Sequence, residues 1–306
     1  MALMNKIRNF WAQRKQGQAQ VRDADYSRPI LDQAAANMLL QSRIMTGEPF
    51  MASRLGGIEL NCLRHFMNDR PDARPYPAGT AAALGTFAGF FPLTDEALDE
   101  FCKVYLSAVR LADAMGVWFY VGENRVLRDY CPNASLMQPR ALEPYYHTEP
   151  WSKAVQGKRV LVIHPFAESI REQYENKRTM LFENPGVLPE FHLHTIKAVQ
   201  SIAGEPTGFA TWFDALDSMK TAMDAVEYDV CIVGAGAYGL PLAAHAKSSG
   251  KSAVHMGGGT QILFGIKGRR WDDHEVISNL YNDAWVRPKA LETPRSFSSV
   301  EDGCYW

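Results

Sequence analysis

Hydrophobic and polar positions along this chain follow two periods, and they are most legible between residues 228 and 271. An apolar run at 228–233 reads as a buried strand. It meets glycines at Gly234, Gly236 and Gly239, and a helical period follows as far as Ser249. Gly250 stops that helix, residues 252–256 read as a second buried strand, and Gly257, Gly258 and Gly259 open another short helix. Strand, glycine turn and helix, twice in succession, place two helix N-termini at the carboxyl edge of one parallel sheet. Bare backbone N–H groups and the helix dipole favour an anion there, such as a diphosphate.

The same periods organise the rest of the chain. Residues 29–46 read as a helix, with Pro29 near the start and Gly47 after the end. Residues 49–55 read as a strand running into the Gly56-Gly57 turn, with a helix behind it at 58–68. Residues 69–93, rich in Pro, Gly and Ala, read as a long loop, a lid that governs the acceptor. Thr94 suits the N-cap of a helix reaching Met115, with Leu98, Phe101, Tyr105, Ala108 and Ala112 on one face. Residues 117–121 read as a strand, and 122–150 as irregular, broken at Pro132, Pro139, Pro144 and Pro150. A buried strand at 159–163 leads into a helix ending near Arg178. A loop follows at 179–190, then a strand at 191–199 and a helix at 212–226. Alternating strands and helices predict an α/β fold, a Rossmann-like, mostly parallel sheet flanked by helices. Residues 122–158 are the candidate seam between sub-domains.

Composition narrows the function classes. With 306 residues the chain can bury a large core, and a net charge of -2 argues against nucleic acid as a partner. Five cysteines, dispersed and without a CxxC pair, suit free thiols in a reducing compartment rather than a disulfide frame or a zinc site. No apolar run approaches the roughly 20 residues that span a bilayer. The cytoplasm is the expected location. Residues 1–22 carry Lys6, Arg8, Arg14, Lys15 and Arg22 beside Met4, Ile7, Phe10 and Trp11. This predicts a basic N-terminal helix over 1–28. It would lie on an anionic membrane face, or pack on the protein's own surface or a second subunit.

Three strand-to-helix corners carry candidate chemistry. GAGAYG at 234–239 has the spacing GxGxxG and follows a strand. A dinucleotide reading also needs an acid at the end of the next strand; His255, Met256 and Gly257 stand there instead, which disfavours NAD. His255 and Gln261 flank the second glycine turn, and Lys267 and Arg270 follow as phosphate-neutralising candidates. In SRLGGIEL, at 53–60, Arg54 leaves the sheet edge, Gly56 permits close approach and Glu59 lies on the first helical turn. The pair serves a phosphate and a hydroxyl or metal, or forms an internal salt bridge. In HPFAESIREQY, at 164–174, His164 ends its strand and Ser169 sits in the following turn, with no GxSxG elbow. His192 and His194 share a strand face without a third ligand and read as structural.

SRLGGIEL together with residues 232–271 resembles the bacterial glycosyltransferases of the GT-D fold, found with surface-polysaccharide genes. The resemblance runs loosely from about residue 35 onward and is strongest at 228–271. In that group a motif R-x-G-D-G-E follows an early strand, and its Asp-x-Glu pair serves a divalent metal on a sugar nucleotide. Arg54, Gly56 and Glu59 match the motif, whereas Gly57 stands at the Asp position. The resemblance implies a GT-D-like domain over 29–306. It would move a sugar from a nucleoside-diphosphate sugar, a UDP-sugar foremost, to a saccharide or lipid-linked hydroxyl in polysaccharide or glycolipid assembly. Arg54 and Glu59 would then be catalytic, with Glu59 as acceptor base or ligand of Mn²⁺ or Mg²⁺. Such cations favour several oxygen ligands, so Gly57 weakens that site. A non-catalytic nucleotide or sugar-phosphate binder of the same fold is the alternative.

Overall fold

The computed structural model describes residues 25–68 and 75–306. Most of the basic helix expected over 1–28, with its membrane or subunit contact, lies outside them. Residues 26–28 run as bends rather than helix. Pro29 explains the bend at Arg28, because a residue before proline is pushed out of the helical region.

Eight strands are described: β1 (Ile30–Leu31), β2 (Phe50–Arg54), β3 (Ala114–Gly116), β4 (Ser135–Met137), β5 (Arg159–His164), β6 (His192–Lys197), β7 (Val230–Val233) and β8 (Ser252–His255). They form one sheet in the order β1-β4-β3-β2-β8-β7-β5-β6, and every neighbouring pair is parallel. The helices are α1 (Gln33–Thr46), α2 (Gly57–Asn68), α3 (Ala78–Ala88), α4 (Asp95–Val109), α5 (Glu123–Tyr130), α6 (Ala167–Lys177), α7 (Trp212–Asp224), α8 (Gly239–Ser248) and α9 (Gly259–Leu263). The first four strands make one half of the sheet and the last four the other. The halves meet where β2 pairs with β8, Phe50 against Ser252 and Ala52 against Val254. Within 122–158, residues 138–158 carry the chain from one half to the other through short 3-10 turns.

Both faces of the sheet are covered, so its central strands are apolar on both sides, as parallel sheets require. Met51, Met115, Leu161, Ile163, Cys231 and Val233 face one layer, which includes α2, α4, α7 and α8. Phe50, Ala52, Val160, Val162, Ile232 and Val254 alternate to the other, which includes α1, α6 and α9. The first layer is centred on Trp212, fully buried, with Phe101 5.3 Å away and Tyr238 stacked at 5.0 Å. No described helix is long and apolar enough to cross a membrane.

Several expected elements are corrected. The loop expected over 69–93 contains helix α3, because its alanine-rich run has high helix propensity and Gly89, at φ 74°, closes it. The helix expected to reach Met115 stops at Val109. Residues 114–116 instead become β3, where pairing with β2 outweighs the helical period. The strand expected at 117–121 is irregular: Val117 makes a last bond to the Met137 carbonyl at 2.8 Å, and Phe119 turns away at φ 61°. Residues 122–150 are less irregular than expected, since α5 and β4 lie there. Pro139 and Pro144 begin 3-10 turns rather than breaking helices. Residues 30–31 pair with β4 before Asp32 caps α1 through Ala35 N at 2.8 Å.

Trp212→Ala should cost about 3–5 kcal/mol, since it empties the centre of an aromatic layer. Urea unfolding followed by fluorescence of the remaining tryptophans checks this.

Candidate functional site

Strands β2, β5, β7 and β8 all end at one side of the sheet, around a cavity of about 200 Å³. That is more than ten times the room one water needs, about 10–15 Å³. The structure brings most of the expected residues to its walls. Arg54, Gly56 and Glu59 come from the β2–α2 corner, and His164 from the end of β5. Gly234 and Gly236 follow β7, while His255, Gly257 and Gly258 follow β8, with Gln261 and Arg270 beyond.

Arg54 is the electrostatic feature of this cavity. Its guanidinium lies 5.2 Å from the centroid of the Trp118 ring. On another side it presses against Gly257, at φ 62°, where any Cβ would collide with the guanidinium. Its Nε is buried without a hydrogen-bond partner, and among the described residues no carboxylate pairs with it. The Arg54–Glu59 salt bridge, the bland alternative, is not formed. Glu143 feels the Arg54 charge from a distance: burial raises its carboxyl, while the Tyr145 hydroxyl, at 2.8 Å, and Arg54 pull it back down.

Glu59 stands on the first turn of α2 and is only 8% exposed. Gly56 makes room for it, since a Cβ there would strike the Glu59 carboxylate. The negative charge of Glu59 is felt by Tyr105, whose phenol is raised by burial first and by Glu59 second; Tyr105 donates to the Ala237 carbonyl at 2.6 Å.

Both histidines are neutral. Burial drops His164 to about 3, and its Nδ1 accepts from Phe166 N at 3.0 Å. His255 is also lowered to about 3, by burial and then by Arg54. Its Nδ1 meets the Ser53 hydroxyl at 2.9 Å, while its Nε2 faces Gly239 so closely that a Cβ there would clash. Gly239 therefore serves packing at the start of α8. Imidazoles this weakly basic are poor acceptors of a substrate proton.

Two expected residues do not line the cavity. Ser169 donates to Glu292, and the Glu292 carboxylate also accepts from Glu168 N at 2.9 Å and Ser169 N at 3.1 Å. The anion-binding end of α6 is thus filled by the protein's own carboxylate. The Lys267 ammonium lies 5.2 Å from the Tyr281 ring centroid, clear of the cavity walls. Gln261 does line the cavity, but its amide nitrogen is spent on the carbonyls of Ile266, at 3.2 Å, and Tyr305, at 3.1 Å. His192 and His194 are exposed on the edge strand β6.

Sequence reasoning missed two walls. One is the stretch 199–202, where Ser201 donates to the Gly89 carbonyl at 2.5 Å and lies 3.1 Å from the Tyr238 hydroxyl. The other comprises Val300, Glu301, Tyr305 and Trp306. Neither has a period or motif, and only the aromatic pair Tyr305-Trp306 hinted at a packed role.

Among the described residues the donor set does not fit a divalent cation. Gly57 supplies no carboxylate beside Glu59, an Arg guanidinium lines the same corner, and no group of three or more His, Cys, Asp or Glu gathers among the described residues.

No family model and no curated protein matches this chain. Two solved structures are similar to it: the domain of unknown function 1792 in selenomethionine-substituted form, and that domain described as having a distinct glycosyltransferase fold. Each is 10% identical with a TM-score of 0.45, over 86% of this chain and 92% of that chain. A likeness this distant bears on neither reaction nor substrate.

Beneath Trp118, Glu123 is fully buried, accepting from Trp118 N at 2.9 Å and the Tyr26 hydroxyl at 2.7 Å. Burial raises its carboxyl from 4.5 to about 7. The folded chain then holds this proton more tightly than the unfolded chain. Stability should therefore fall as pH rises from about 4.5 to about 7 and level off above. Glu123→Gln keeps an acceptor for both donors and should flatten that slope, by an amount on the order of 3 kcal/mol. Urea midpoints between these pH limits read it. Gly257→Ala should cost about 1–2 kcal/mol for its left-handed backbone and should also displace Arg54. Thermal unfolding and a crystal structure of the variant check both.

Proposed function

We propose that this chain transfers a sugar from a nucleoside-diphosphate sugar, a UDP-sugar foremost, to a hydroxyl acceptor, and that it does so without a divalent cation. The observation that carries the reading is Arg54: a cation lodged in a glycine-lined cavity at the carboxyl edge of a parallel sheet, with no carboxylate paired to it among the described residues. Anionic ligands bind at such edges, and a guanidinium meets two phosphate oxygens at once.

The chemistry follows from charge. As the bond from the anomeric carbon to the diphosphate oxygen breaks, negative charge grows on the leaving diphosphate. Arg54 stabilises that charge from a fixed position, held between Trp118 and the backbone at Gly257. The acceptor oxygen bonds to the anomeric carbon, and its proton passes to Glu59. The neutral histidines, held near 3, are too weak to take it. Glycine at 236 leaves the floor open to the diphosphate, whereas Gly234 admits His164 and Thr260 against the backbone. A saccharide or lipid-linked acceptor, in surface-polysaccharide or glycolipid assembly on the cytoplasmic side of a membrane, completes the reading.

Gly57 favours a second reading, in which a relative that has lost a carboxylate binds the nucleotide and turns nothing over. Calorimetric titration with UDP, GDP and NAD, with and without Mn²⁺, followed by a donor-hydrolysis assay, separates these. UDP or GDP binding that is indifferent to Mn²⁺, with turnover that survives EDTA, is expected. Binding without turnover selects the second reading, and preference for NAD overturns both. Arg54→Gln should weaken binding by about 10- to 100-fold, the worth of a charged hydrogen bond. Glu59→Gln should bind normally and lose turnover. Gly236→Val should block binding, because its φ of 52° suits glycine and the added side chain occupies the floor.

A further inference from the structure

Arg270, unlike Arg54, already holds an anion. Its guanidinium binds the Glu301 carboxylate, and both residues line the cavity. The rest of its environment would hold it in place without Glu301. Tyr305 and Trp271 lie under it, with centroids 4.7 and 5.8 Å away, and Nη1 donates to the Tyr305 hydroxyl at 3.3 Å. Glu301 sits in a costly backbone. It, Asp302 and Gly303 are consecutive left-handed residues, at φ 46°, 57° and 79°, and only the third is glycine.

Resting on the nucleotide reading above, we infer that Glu301 is a built-in competitor, occupying on Arg270 the place of a ligand phosphate and yielding it when the diphosphate binds. The exchange is local. Both side chains keep partial access to solvent, at 37% for Arg270 and 28% for Glu301. The segment bearing Glu301 is anchored elsewhere: Arg270 N bonds the Cys304 carbonyl at 2.9 Å, Arg269 N the Trp306 carbonyl at 3.2 Å, and Gln261 the Tyr305 carbonyl. A rotation of one side chain therefore frees Arg270 while residues 304–306 stay docked. A phosphate presents the guanidinium with more acceptor oxygens than one carboxylate does, and carries more charge. The cavity thus has two cations in different states, Arg54 open and Arg270 self-occupied.

Calorimetric titration of UDP into the full chain, Glu301→Gln, Arg270→Gln and the double variant tests this. Glu301→Asn serves as a second probe, since Asn tolerates a left-handed backbone and keeps the variant folded if Gln does not. Removing the competitor should tighten UDP binding by about fivefold, the scale of a partly exposed ion pair. Arg270→Gln should weaken binding, and on that background Glu301→Gln should change nothing. If UDP binds the unaltered chain but Glu301→Gln and Glu301→Asn bind equally or more weakly, the competitor is disproved and the nucleotide reading stands. If UDP binds none of the proteins, the nucleotide reading falls, and this inference with it.

Discussion

The site depends on one close approach, that of the Arg54 guanidinium to the backbone at Gly257, where the two halves of the sheet meet. β2 brings Arg54 to the edge from the first half, and β8 delivers Gly257 from the second. A side chain at 257 would collide with the guanidinium, and φ 62° there suits glycine in any case. Trp118 supports the same guanidinium from another side. The glycine turns after β7 and β8 are thus more than a phosphate-binding floor. They allow a charged side chain from a distant part of the chain to reach the cavity at the carboxyl edge of the sheet.

That placement organises the surrounding charges. Arg54 depresses His255 and draws Glu143 back from the rise that burial imposes, so one cation influences a neutral base and an acid together. With both histidines neutral, the proposed reaction assigns its proton transfer to a carboxylate. Among the described residues, Glu59, on the first turn of α2 at the Arg54 corner, and Glu301, bound to Arg270, line the cavity. In the proposed transfer, Arg54 meets the developing charge and Glu59 takes the proton.

Much of this was legible in the sequence because it rests on local signals. The strand–glycine–helix pattern at 228–263 depends on neighbours along the chain, and so do the turns that carry Arg54 and His164. What was not legible depends on pairing or on distant contacts. Residues 114–116 read as helix by period, and only the β2 edge makes them a strand. The stretch 78–88 read as loop through its Gly and Pro, although its alanines made it a helix. Ser169 looked like a site residue because helix N-termini attract anions. The anion is Glu292, more than a hundred residues away in sequence, which nothing local reveals.

Ser169 and Arg270 illustrate the same rule with different consequences. Each belongs to a feature that would bind an anion, and each already has one from the chain, Glu292 and Glu301 respectively. Glu292 is buried and accepts from three backbone N–H groups and a hydroxyl, so it belongs permanently to the fold. Glu301 instead makes a partly exposed ion pair and a contact with the Cys304 thiol from a strained backbone, which is why the inference above has a ligand phosphate replace it and not Glu292. Arg54, with no carboxylate partner among the described residues, lies at the far end of this series. Its Nε is buried without a partner at the convergence of four strand ends, a cost to folding that the proposed reading accounts for by an anion that arrives with the ligand.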